Sequence, residues 1–482
     1  MSDHLPTIIQ GGMGAAVSHW RLARAVSMHG QLGVVSGTAL DQVFARRLQD
    51  GDPGGHMRRA LDRFPSTAMA ERVWRAWFIP GGKAAGAPYY RPAMHTVDSP
   101  RELQELCIVA NFVEVTLARE GHDRPVGINY LEKVQLPHLP SIYGAMLAGV
   151  GYVLMGAGIP LRIPGVLDAL ARHETASYPV HITGAQEGDD TALTFNPRQF
   201  IQGALPPLHR PKLLPIIASN ALAVTMLRRA NGHVDGFVVE GPSAGGHNAP
   251  PRGKPQLSAA GEPVYGERDR VDLAKLRELG VPFWLAGGYG SPEKLREALA
   301  EGAAGIQVGS AFAFSAESGF TGEYKRAVLE RIAAGEAHVI TDPFASPTGF
   351  PFKMVRLPGS VSEAQVYAAR PRVCDLGFLR EIYRTPEGGI GYRCSAEPVT
   401  TYIAKGGPAE NTAGRRCLCN ALLANIGHPQ VRGAYVERGL ITAGSDLNAL
   451  AQFLPPEGFT YRAADVIDRL LGDYDQSSWT GP

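Results

Sequence analysis

Through its first two-thirds the chain alternates short apolar runs with longer stretches in which apolar residues recur every three or four positions. That alternation predicts a parallel sheet whose strands are joined by crossover helices. Eight runs read as buried strands: Thr7–Gln10, Leu32–Val35, Pro125–Asn129, Gly151–Met155, Leu213–Ala218, Val234–Val239, Pro282–Ala286 and Gly305–Val308. Helical periodicity covers His19–Met28, Arg101–Arg119, Pro140–Leu147, Pro164–Arg172, Ala221–Arg229, Asp272–Leu279 and Ser291–Glu301. In the last of these, Ser291 and Pro292 form a start signal, a serine cap followed by proline at the first helical position. Eight such units predict an α/β fold, a (β/α)8 barrel of the TIM type. A doubly wound open sheet is the rival, but it usually needs fewer units.

Two insertions interrupt the barrel pattern. Residues 41–90 carry amphipathic helices around Met57–Trp77, and residues 177–202 read as a hairpin of Val180–Thr183 with Ala192–Phe195 around Gly188-Asp189-Asp190. The barrel is expected to occupy residues 1–335. Residues 336–482 change character, beginning with a Pro- and aromatic-rich stretch, Asp342–Phe352, that is expected to be extended. The remainder is expected to be a mainly helical appendage packing on the barrel.

Composition narrows the class. At 44% hydrophobic and 19% charged residues the chain is ordinary for a globular enzyme. A net charge of +1 gives no field to recruit nucleic acid or an anionic membrane. No apolar run is long enough to span a bilayer. The opening Met1-Ser2-Asp3-His4 has no basic region leading into an apolar core, so no secretory signal is expected. Five cysteines, an odd number, argue against a disulfide framework and for a reducing, cytoplasmic setting.

In a barrel the C-terminal ends of the strands converge on one face, where active sites form. Here those ends carry Gly11-Gly12-Met13-Gly14, Gly37, Asn129, Gly156, Ser219-Asn220, Glu240, Gly287-Gly288 and Gly309-Ser310. After Glu240 the run Gly241-Pro242-Ser243-Ala244-Gly245-Gly246-His247 lets backbone approach an anion, with an imidazole beside it. Gly287-Gly288 and Gly309-Ser310 end the last two strands, where barrels bind phosphate through main-chain N–H groups. Any one glycine pair can be a mere turn; the whole set suits a phosphate with a ribityl chain and flavin ring. Met13 can lie against a ring face. His247 suits a general base, because imidazole titrates near neutrality, or else a residue that only holds the loop.

Four cysteines, Cys374, Cys394, Cys417 and Cys419, fall close together and could hold zinc or an iron–sulfur cluster. Their spacing is no Cys-x-x-Cys pair, so buried free thiols are the expected reading and no metal is assigned.

Thr7–Gly14, Gly30–Gly33, Ala244–His247, Ala286–Gly288 and Gln307–Phe312 resemble the nitronate monooxygenase family, formerly the 2-nitropropane dioxygenases. These are FMN-dependent barrels related to FMN enoyl-acyl-carrier-protein reductases. The resemblance covers roughly residues 5–315. It implies that His247 is the base beside the flavin. Gly12, Met13, Asn129, Ser219, Glu240, Gly245, Gly246, Gly287, Gly288, Gly309 and Ser310 then bind FMN. The family commonly has Gln where this chain has Glu240. The insertions and C-terminal region are closer to enoyl reductase subunits of polyunsaturated fatty acid and polyketide assembly lines. The expected activity is oxidation of a nitronate or similar carbanion with O2. The alternatives are NAD(P)H-dependent reduction of an enoyl thioester, or a non-catalytic subunit of a biosynthetic complex. A homodimer is compatible with either enzyme.

Overall fold

A computed structural model describes residues 5–186, 191–203 and 206–472. The expected hairpin turn at Gly188–Asp190 and the segment Met1–His4 lie outside these. Eight strands form the central sheet: β1 Ile8–Gln10, β2 Gly33–Ser36, β3 Val126–Leu131, β4 Tyr152–Gly156, β5 Lys212–Ile217, β6 Phe237–Glu240, β7 Phe283–Ala286 and β8 Gly305–Val308. Each of the eight runs read as a strand is one. The order β1-β8-β7-β6-β5-β4-β3-β2 is parallel throughout. The two edges meet: the Gln10 amide donates to the Leu32 carbonyl and the Leu32 amide to that of Ile8. The sheet is therefore a closed barrel with no unpaired edge.

Strand composition explains the closure. Ile8, Ile9, Val34, Val35, Leu213, Leu214, Phe237 and Val238 are all buried, as strands covered on both faces require. Ile9, Val34, Leu154, Leu214, Val238 and Trp284 fill the barrel interior. Their neighbours Ile8, Phe237, Leu285 and Ile306 face the helical layer. Trp284, wholly buried, closes the floor, and its indole N–H donates to the Pro6 carbonyl at 2.7 Å. With the floor packed, the only open end is the one where the strands finish.

The helices follow the expected segments within a residue or two, as at Trp20–Met28, Arg101–Ala118 and Pro292–Ala300. Ser291 caps the last by accepting the Lys294 amide. The first insertion holds helices Leu40–Gln49, His56–Leu61 and Thr67–Trp77.

The second insertion departs from expectation. Ala192–Phe195 pairs not with Val180–Thr183 but with Ala176–Pro179. Both segments alternate apolar and polar residues, so pattern alone does not choose between them. In the paired segment Ala176 and Tyr178 turn inward, and the Tyr178 hydroxyl donates to Glu132. Ile182–Thr183 is freed to pair with Glu381–Arg384 from the C-terminal region.

That region mixes short helices with antiparallel pairs: Val339–Asp342 with Phe352–Val355, Glu381–Arg384 with Ile390–Arg393, and Val431–Arg432 with Tyr435–Val436. Charged residues such as Asp342, Lys353, Glu381 and Arg393 interrupt these strands, so they leave no unbroken apolar run in the sequence. Asp342–Phe352 is non-helical, as its prolines require. Helix Ala463–Leu471 buries Val466, Ile467 and Leu470 in the same cluster as barrel residues Ile8 and Ile306.

Trp284→Ala should lower stability by about 3–5 kcal/mol, as expected when a large core aromatic is removed. A urea midpoint within error of the parent would show that the barrel floor does not depend on this side chain.

Candidate active site

The open end of the barrel holds one cavity lined by the ends of the strands. Loop 241–248 forms part of its rim, and main-chain hydrogen bonds from distant sequence fix that loop. The Gly246 amide donates to the Thr442 hydroxyl and the Ser445 amide to the Ser243 carbonyl, each at 2.9 Å. From the other side the Lys353 amide donates to the Gly246 carbonyl, and the Asn248 amide to that of Pro351. A side chain at Gly245 would strike the Ala443 backbone at 2.8 Å, so this loop needs glycine there to lie against the C-terminal region.

Beside the loop, where a Cβ on Gly287 would meet the Ala244 amide nitrogen at 2.9 Å, is a set of unpartnered amides. No hydrogen bond among the described residues is donated by the main-chain N–H of Gly287, Gly288, Gly309 or Ser310. Main-chain donors without a protein acceptor that converge on one cavity mark a place for an anion. Gly288 has φ +79°, which disfavours any side chain, whereas a Cβ on Gly309 would meet only Met13 Sδ at 3.5 Å. Gln307 points into the cavity, and its buried Oε1 has no protein donor. Gly12 and Asn129 touch so closely that a Cβ at Gly12 would lie 2.3 Å from that of Asn129. Amides for a phosphate, and Asn129, Gln307 and Met13 around the barrel mouth, form a donor set that fits FMN.

Two titratable groups stand in the wall between this cavity and a second one, which extends over Ile159, Ile216, Leu222 and Phe350. His247 Nε2 lies 2.7 Å from Ser346 Oγ, which is 2.8 Å from Thr348 Oγ1. Phe352 packs edge-on against the imidazole at 4.8 Å. Burial lowers the His247 pKa to about 4, so the ring is neutral at pH 7. Nδ1 has no hydrogen-bond partner among the described residues, which leaves it for a ligand.

Glu240, at the end of β6, behaves oppositely. Burial raises its carboxyl to about 7, against the pull of the Asn248 amide and the Lys353 ammonium. Asn248 Nδ2 donates to Glu240 at 3.2 Å and to the Ala244 carbonyl at 3.0 Å. Lys353 is itself buried and held below its ordinary value by desolvation; its Nζ donates to Thr341 Oγ1 at 2.6 Å. Near neutrality the site therefore holds a neutral imidazole and a carboxyl in mid-titration.

Of the residues singled out in the sequence, the structure gathers Gly12, Met13, Asn129, Glu240, Gly245, Gly246, His247, Gly287, Gly288, Gly309 and Ser310 around the first cavity. Ser219 is placed elsewhere. It caps helix Asn220–Arg229 through the Leu222 amide and lines only the second cavity. Gln307, Ser346, Thr442 and Asp446 were not anticipated. Gln307 carried a signal, a lone polar residue at an inward position of an apolar strand. The other three come from the C-terminal region, and nothing in their local sequence ties them to the barrel mouth.

Residues 209–346 match the family model for nitronate monooxygenase, an oxidoreductase family. The resemblance carried by the motifs is thereby shown over that stretch, which spans β5 to β8. No curated protein matches the chain. Among solved structures, FabK from Thermotoga maritima is similar at 16% identity and TM-score 0.45, over 97% of this chain and 91% of that one. Nitroalkane oxidase from Streptomyces ansochromogenes aligns at 16% and 0.46, over 96% and 94%. The enoyl reductase domain of MlnA, from the macrolactin cluster of Bacillus amyloliquefaciens, aligns at 11% and 0.45, over 97% and 93%. Likeness at this level assigns no activity. Among the described residues no helix is long and apolar enough to cross a membrane.

The raised Glu240 carboxyl makes a stability prediction with a definite sign. Its native pKa of about 7 exceeds the ordinary 4.5, so the fold favours the protonated form. Stability is then undiminished below pH 4.5, falls as pH rises from 4.5 to 7, and stays reduced above, by up to about 3 kcal/mol. Glu240→Gln should accordingly melt higher than the parent at pH 8 and equally at pH 4.5. An equal or lower melting temperature at pH 8 would mean the carboxylate is accommodated.

Proposed function

We propose, from the match of residues 209–346 to the nitronate monooxygenase family and from the donor set at the barrel mouth, that the chain is an FMN-dependent oxidoreductase. Its substrate is a nitronate or a similar stabilised carbanion, with O2 as electron acceptor. The amides of Gly287, Gly288, Gly309 and Ser310 hold the phosphate. Asn129, Gln307 and Met13, which line the same cavity, would hold the ring system. FMN, when bound, takes the substrate's electrons and passes them to O2.

The observation that carries this reading is the position of Glu240 and His247, both of which border the two cavities. A substrate entering over Ile216, Leu222 and Phe350 meets them before it meets the ring. His247, anchored through Nε2 to Ser346 and neutral near pH 7, offers Nδ1 to orient the substrate. Glu240 is matched to proton transfer near pH 7, because a base works best when its pKa lies close to the working pH. The two roles are therefore separate, with His247 orienting the substrate and Glu240 supplying proton capacity. The apolar lining of the second cavity favours one other reading, an NAD(P)H-dependent reductase of enoyl thioesters, whose acyl chain would occupy that space.

Anaerobic titration of the flavin separates the two readings. Reduction by an alkyl nitronate, not by NADPH, with reoxidation in air, is the expected result. Rapid reduction by NADPH alone would make the chain a reductase. His247→Ala should keep the flavin and lose about 10²–10⁴-fold in kcat/KM; unchanged kinetics would remove His247 from the chemistry.

A further inference from the structure

The fold brings four thiols from three separate segments to one small cavity beneath the barrel mouth. Cys374 precedes the Leu376–Leu379 bend, and Cys394 follows strand Ile390–Arg393. Cys417 and Cys419 open helix Leu418–Ala424. All four line the same cavity, with Pro347, Leu379 and Asn420. Cys374 and Cys394 act on each other's thiols, and Cys374 and Cys417 both act on Cys419.

Cys374 and burial push the Cys394 thiol up, burial pushes Cys417 and Cys419 up, and Cys374, beside Cys394, is pushed down. Main-chain groups of Phe378 and Leu379 act the other way on Cys419, as do those of Ala396 on Cys394 and Asn420 on Cys417, without outweighing burial. Asn420 Nδ2 adds a contact to Cys417 Sγ at 3.6 Å. A neutral thiol is a weak acceptor and gains little from such donors; a metal-bound thiolate is stabilised by each of them. Arg380 lies near Cys374, Arg415 near Cys394 and Arg370 near Cys417, which offsets negative charge on the set. Cys107, outside this group, is accounted for locally, beside the hydrogen-bonded pair His95 and Asp41.

We propose that Cys374, Cys394, Cys417 and Cys419 bind a thiophilic metal centre, one zinc ion or an iron–sulfur cluster. Spacing favours the cluster. Among the described residues only Asp41, His95 and Cys107 bring three ligand atoms within 4.8 Å of one another. A single zinc with bonds of about 2.3 Å needs its four sulfurs roughly 3.8 Å apart, whereas a cluster spreads them wider. The centre clamps the three segments where they meet the active site. Pro347 of its wall follows Ser346, the partner of His247, and Leu422, one turn beyond Cys419, lines the first cavity.

Metal and acid-labile sulfide analysis of the full-length protein, purified anaerobically, tests this directly. Iron with matching sulfide identifies a cluster; one zinc per chain without sulfide identifies the mononuclear site. In either case a mercurial that titrates thiols should release the metal in proportion. Cys394→Ser should lose it while flavin content is measured in parallel. Should that variant fail to fold, the parent still decides. Parent protein that melts cooperatively with less than about a tenth of a metal ion per chain overturns the proposal. So does a disulfide within the set.

Discussion

The chemistry at the barrel mouth depends on a loop that the barrel holds only at its start, where the Gly241 amide donates to the Ala286 carbonyl. Residues 241–248 leave β6 and are fastened from both sides by the C-terminal region, through Thr442 and Ser445 on one side and Pro351 and Lys353 on the other. Each bond uses a main-chain group of the loop, so the loop's course is set more by backbone than by side-chain identity. That constraint places His247 against Phe352 and Ser346, and it encloses Glu240. Without these contacts the imidazole would sit in solvent at its ordinary pKa, and the carboxyl at its own.

Burial then acts in opposite directions on the two groups. Desolvation penalises whichever form is charged, so it lowers an imidazole and raises a carboxyl. The outcome is a site with little fixed charge at neutral pH beside amides that favour an anion. Among the described residues no lysine or arginine lines the first cavity, and Arg252 is the cation lining the second. Lys353 is the nearest buried cation, and its hydrogen bond to Thr341 and its place near Glu240 and Glu262 make it part of the wall.

Much of this was legible in the sequence, for physical reasons. Parallel barrel strands are buried on both faces and read as unbroken apolar runs, so all eight were found. Glycines at their ends marked the mouth, because backbone must approach a ligand there. The hairpin of the second insertion was misregistered, since Ala176–Pro179 and Val180–Thr183 alternate equally well and each buries an apolar residue, Tyr178 in one and Ile182 in the other. Ser219 looked like a ligand contact from its position after β5, yet its hydroxyl caps a helix. Thr442 and Ser346 bond to the loop from 196 and 99 residues away, and local patterning is blind to such contacts. The four cysteines illustrate the same limit: their sequence spacing fits no familiar motif, whereas their meeting point is a property of the fold.

The central claim is that the unpartnered amides at the ends of β7 and β8 hold a flavin phosphate. The most direct measurement is the identity and amount of flavin released on denaturing the purified protein, compared with Gly309→Leu. The Cβ of a side chain there would make only an ordinary contact with Met13, and the branches of a leucine would extend beyond it into the cradle. The expected result is one FMN per chain in the parent, and a folded, flavin-free variant with an unchanged melting temperature once bound FMN is removed from both. A variant that keeps its FMN, or a parent that binds none when FMN is supplied, would contradict it.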